Sequence, residues 1–174
     1  GLARALRAPG AVGGRPPFEY DLAGTDPWVR AYYRARSRMP TMSSALWGAG
    51  VYALTREGAA RVTPLPPVTA DDVYVDRRVR AAEKRIPPLA PVRVRVPLTA
   101  RALLDTLVRV RRGPAQQGVD TGDSTARELL RSATSAPHAW DAAVYAAFAV
   151  LARRRAAGAQ ARWERDGSTR IATA

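Results

Sequence analysis

The chain has 174 residues, enough to bury one modest core, and a formal net charge of +13 that comes almost wholly from arginine, Lys84 being its only lysine. It has no cysteine and a single histidine, His138, which excludes disulfides, thiolate metal sites and multi-histidine metal clusters within it. The basic balance favours anionic partners: nucleotide diphosphates, anionic lipid head groups or nucleic acid.

The first 25 residues suggest a short helical piece over Leu2 to Arg7, a run of breakers (Pro9, Gly10, Gly13, Gly14, Pro16, Pro17) and an extended Phe18 to Leu22. There is neither an initial methionine nor a leader-like pattern, so Gly1 is expected to be a cut end. Asp26 then caps a helix with Pro27 at its first position, and Pro40 lies beyond its end. Trp28, Val29, Tyr32 and Tyr33 form its apolar side, while Arg30, Arg34 and Arg38 recur every four residues. That stripe is either a solvated face whose stems cover apolar surface or a face turned to an anion.

Gly48 to Arg80 holds the densest chemistry. Val51 to Leu54 are expected as a short buried strand entered through Gly48 and Gly50, followed by a proline-rich loop and a helix carrying Val73, Val75 and Val79. The two glycines let the backbone come close to another group. Thr69 is placed as the cap of that helix, and Asp71 and Asp72 fall in its first turn, where carboxylates suit the dipole. Capping by itself accounts for both aspartates. Alternatively, neighbouring carboxylates in a partly closed cleft raise one another's proton affinity, which leaves one poised as a general base.

After a basic run (Arg77, Arg78, Arg80, Lys84, Arg85), Val92, Val94 and Val96 alternate with arginines as a half-exposed strand. Thr99 caps a further helix with Leu103, Leu104, Leu107 and Val108 on one side, ending at Gly113. Residues 114–123 are expected as a linker, followed by a helix from Ser124 to Ser132 and a longer one opening before Trp140. Trp140 to Ala152 is nearly all apolar and is followed at once by Arg153, Arg154 and Arg155. It is too short to span a bilayer and fits a docking or interfacial helix with a basic collar. His138, near its start, suits a cap or a packing position.

The string GAGVYALTREGAARV, then ADDVYV, resembles the acceptor-side half of bacterial family 2 glycosyltransferases, which run Gly-x-Gly-Val-Tyr-Ala-Leu-Ser-x-Glu-Gly, a loop and an acidic pair. The resemblance implies an α/β fold: the C-terminal part of a Rossmann-like GT-A glycosyltransferase domain over residues 1–113, then the linker and a helical tail over 124–174. It also implies an inverting transferase that moves a sugar from a nucleotide-diphosphate sugar to a saccharide or glycolipid acceptor. By the same carry-over Asp72 is the base and Asp71 its companion, standing where the family usually has Glu. Gly48, Gly50 and Tyr52 would line the acceptor. Arg109 and Arg112, in RVRRG, would hold the diphosphate or the acceptor, although their place at a helix C-terminus accounts for them equally well.

The family's donor half, with an Asp-x-Asp holding a divalent cation (magnesium or manganese), has no counterpart in this sequence. The chain is therefore expected to be part of a longer transferase, inactive alone, in the cytoplasm or at the inner face of the membrane. No nucleic-acid partner is expected. The alternative is a non-catalytic basic helical module that binds nucleic acid or an anionic membrane surface.

Overall fold

Helix starts follow the side chains that can satisfy free amides. This computed structural model of the protein describes residues 1–66, 71–116 and 122–158. In chain order its elements are α1 (Leu2–Ala5), β1 (Gly13–Gly14), β2 (Phe18–Asp21), α2 (Pro27–Ser37), α3 (Pro40–Ser44), β3 (Ala53–Leu54), α4 (Arg56–Val62), α5 (Asp71–Arg78), β4 (Lys84–Arg85), β5 (Val92–Arg95), α6 (Ala100–Gln116), α7 (Gly122–Ser132) and α8 (Ala136–Gly158). The fold is thus mixed α/β, with helices dominating and two small sheets.

The residues form two compact units. One comprises Gly1–Glu19 with Pro40–Val94, the other Tyr20–Met39 with the chain from Arg95 onward. These units cut the chain elsewhere than the expected borders at 113 and 123. α6 continues through Gly113 and Pro114 to Gln116, α7 begins at Gly122, and α2 belongs with the C-terminal helices.

In the first unit β1 is the middle strand, antiparallel to β3 and parallel to β4, with Gly14 opposite both Ala53 and Arg85. A Cβ on Gly14 would lie 2.5 Å from the carbonyl oxygen of Arg85, so the parallel pairing needs a residue without a side chain there. Gly14→Ala should cost about 1–3 kcal/mol of stability through forced backbone displacement. Urea denaturation of the whole chain checks this, and wild-type stability would mean that β1 and β4 can separate freely.

Val12, Leu46, Val62, Val75 and Val79 form the core of this unit, with Tyr52, Leu54 and Tyr74 packed against it. α5 supplies Val75, and Val79 follows directly after its last residue. The strand expected over Val51 to Leu54 is reduced to Ala53–Leu54, and Val51 is exposed. Part of the expected loop is instead α4. Its cap is Thr55, whose hydroxyl accepts from the Gly58 amide at 3.2 Å, and a Cβ on Gly58 would run into the Val12 carbonyl oxygen.

The second unit contains α2, α6, α7 and α8, the last packing on the other three. Asp26 starts two helices at once: Oδ1 accepts from the Val29 amide at 2.8 Å and Oδ2 from the Ala100 amide at 2.6 Å. Tyr32 of α2 stacks on Tyr145 of α8 at 4.6 Å between ring centroids and meets Phe148 edge-on at 5.8 Å. Among the described residues no helix is long and apolar enough to cross a membrane.

Candidate functional site

α5 opens on Asp71 and Asp72, which both lie in its first turn. Thr69, expected as the cap, lies outside the described residues. Asp72 is partly buried, and its Oδ1 accepts from the Val73 amide at 2.8 Å. The Gly48 amide lies near this carboxylate and favours its charged form. Tyr52 donates its hydroxyl to Oδ2 of Asp71 at 3.2 Å. Gly48, Tyr52, Asp71 and Asp72, which come from separate stretches of sequence, therefore converge.

The two glycines differ in what they do. Gly48 has φ +95°, and a Cβ there would meet the Phe18 ring at 3.2 Å, so both backbone and packing require glycine. Gly50 has φ +69° but faces open space, with no close approach to another group of the protein.

Burial pushes the Asp72 carboxyl above the usual aspartate range, and the charge of Asp71 pushes the same way, while the Val73 and Gly48 amides act against them. Burial and then the neighbouring Asp71 also raise the Tyr52 phenol. Asp72 thus combines enhanced basicity with a carboxylate oriented by fixed amides, which is the arrangement a general base needs.

One turn along the same helix lies Asp76, which sequence reasoning missed. Its Oδ1 accepts from the Leu46 amide at 2.6 Å and from Lys84 Nζ at 2.6 Å. Asp76 thereby holds the Leu46 amide, while Asp72, four residues earlier on α5, lies near the Gly48 amide. The four-residue spacing was visible in the sequence, but the partners were not.

Glu83 was also missed. It is buried between Arg61, whose Nη1 lies 2.8 Å from Oε2, and Arg80, whose Nη2 lies 2.6 Å from Oε1, and it accepts from the Arg80 amide at 2.9 Å. The Arg80 and Arg61 guanidinium groups hold its carboxyl far below the ordinary 4.5. A depressed carboxyl contributes stability that is complete above its unfolded value and is lost as pH falls through the folded one. Acidification below about pH 4.5 should therefore weaken the first unit, and Glu83→Gln should flatten that loss in urea melts followed from neutral pH downward. An unchanged acid limb would show that Glu83 is not what couples this unit to pH. Asp72, being raised, acts in the opposite sense: its contribution to stability falls as pH rises above the aspartate range.

Arg109 lies partly buried on α6 in the second unit, and the side chain of Arg112 falls outside the described residues. The arginine stripe on α2 is exposed at Arg30 and Arg34, and the anion that Arg34 and Arg38 face is a carboxylate of the chain itself. Arg34 and Arg38 turn onto the buried Asp141 of α8, with Nη2 contacts of 2.6 Å and 2.9 Å, and Arg30 directs Nε to Thr25 Oγ1 at 3.4 Å. His138 meets Thr134 Oγ1 through Nδ1 at 3.0 Å, and its amide faces Ser135 Oγ, a local arrangement at the start of α8.

Among the described residues no group of three histidine, aspartate or glutamate side chains is placed to hold a metal ion. Comparison with protein-family models, with curated proteins and with solved structures finds no match.

Proposed function

We propose that the chain is the acceptor-side portion of an inverting, GT-A-type glycosyltransferase, with Asp72 as the base that activates an acceptor hydroxyl. The observation that carries this reading is the convergence on α5. Gly48, Tyr52 and the acidic pair of the GAGVYAL and ADDVYV strings meet around one partly buried carboxylate of raised basicity.

In the proposed step Asp72 takes the hydroxyl proton of a saccharide or glycolipid as its oxygen bonds to the anomeric carbon of a nucleotide-diphosphate sugar. The bond from that carbon to the diphosphate oxygen breaks on the opposite face, and the nucleoside diphosphate leaves with the electron pair. Tyr52 turns Asp71 aside by hydrogen bonding, so that one carboxylate of the pair acts on the acceptor. Open space at Gly50 gives a sugar room beside the backbone. Arg109 and Arg112 are the candidates for holding diphosphate, as fixed forks of donors that stay ionised. The described residues do not fit the divalent cation of such enzymes, so no step here is assigned to it.

The test is to express the chain together with the coding sequence upstream of Gly1 and measure nucleoside-diphosphate release from a panel of nucleotide sugars. Release stimulated by a saccharide or glycolipid acceptor supports the reading. An upstream sequence without alternating strands and helices and an Asp-x-Asp would overturn it.

A further inference from the structure

α8 is apolar on both faces but buries only one of them. Asp141, Val144, Tyr145, Phe148 and Ala152 are buried, while Trp140, Ala143, Ala147, Val150 and Leu151 are exposed. The exposed set follows helical spacing and forms one stripe. At its start Trp140 meets Trp28 of α2, with ring centroids 5.6 Å apart and 55% and 49% of the two residues exposed. At its other end stand Arg153, Arg154 and Arg155, all exposed, of which Arg155 pairs with Asp105 of α6 at 3.4 Å. Asp141, the one acidic residue of α8, is buried and neutralised by Arg34 and Arg38, so the exposed charge of this helix is entirely positive.

The geometry points to this face as a docking surface for a bilayer of anionic lipid, on which α8 lies in the plane of the head groups. Charge selects the occupant. Arginines flanking a smooth apolar stripe can extend to phosphate oxygens while their stems stay with the apolar layer, and paired indoles suit the depth where hydrocarbon meets water. The exposed stripe from Trp140 to Leu151 covers about 18 Å at about 1.5 Å per residue, enough to lie in the interface and too short to cross it. The inference stands apart from the transferase reading, because it concerns the second unit and is tested on the chain as it is.

The test is sedimentation of the 174-residue chain with phosphatidylcholine vesicles and with vesicles containing about 30% phosphatidylglycerol, at low salt and at roughly 0.5 M salt. Binding to the anionic vesicles only, with a blue shift of tryptophan fluorescence and at least about tenfold weakening in high salt, is the expected result. Trp28→Ala with Trp140→Ala, and separately Arg153→Glu with Arg154→Glu, should each lower the partition at least about tenfold with helix content unchanged. All four residues are exposed and lie outside the buried core, and the unchanged helix content checks that the fold is kept. Equal binding to neutral vesicles, absence of binding, unaltered binding by both variants, or displacement from the vesicles by duplex DNA at physiological salt would each overturn the proposal. So would a stable dimer of the chain that shields both tryptophans from a soluble quencher.

Discussion

If the chain is part of the transferase proposed above, replacing Asp72 with asparagine should reduce its sugar transfer about 10²–10⁴-fold, the range that a positioned general base supplies, and leave donor binding nearly unchanged. The same substitution should leave the fold of the present chain at least as stable at neutral pH. Asparagine keeps an oxygen that can accept from the Val73 amide, and it removes a charge that burial and Asp71 disfavour. These two measurements separate the roles open to this residue. A helix cap would show as lost stability, of order 0.5–2 kcal/mol in the alanine variant, with transfer little affected. A base shows as lost transfer with stability kept. Transfer retained by the asparagine variant would exclude Asp72 as the base.

The largest effect on stability is expected at Asp141. Its carboxylate is buried, which pushes its proton affinity up, but hydrogen bonds and charge from Arg34 and Arg38 outweigh burial and hold it below the usual range. Arg34 makes a two-pronged contact, Nε at 3.0 Å and Nη2 at 2.6 Å. Asp141→Ala removes the acceptor and leaves two guanidinium groups without their carboxylate. Arg34 is half exposed and Arg38 about one-quarter exposed, so water recovers part of the loss. The expected cost is about 2–3 kcal/mol, below the roughly 3–5 kcal/mol seen when a fully buried pair is broken. Chemical denaturation of the whole chain measures it. Because Nε of Arg38 is buried without a partner, replacing Arg34, Arg38 and Asp141 together by apolar residues should recover most of the loss. A triple variant no more stable than Asp141→Ala would show that the ion cluster itself, and not the avoidance of unpaired charge, holds α2 to α8.

The starts of α2 and α5 were legible because their signals are local: Asp26 before Pro27, and an acidic pair ahead of valines at helical spacing. α4 was hidden by the prolines that follow it, although Thr55 carries a plain cap signal three residues before Gly58. The extent of α6 was misjudged at Gly113 and Pro114, residues that usually end helices but here lie within one. At the candidate site, the glycines, Tyr52 and the aspartates were read from their types and order, whereas Asp76 and Glu83 were not, since Lys84, Leu46 and Arg61, which hold them, lie 8 to 30 residues away.

By itself the sequence determined the charge balance, the absence of thiol chemistry, the helix starts and the residue types available at the acidic pair. These depend on composition or on neighbours within one turn. Only the tertiary structure decided that Arg34 and Arg38 of α2 pair with Asp141, that Gly48 lies near Asp72 while Gly50 faces open space, and that α8 leaves an apolar stripe exposed. Each of those depends on which distant groups meet. Long-range pairing is governed by the packing of whole elements, which no local pattern encodes.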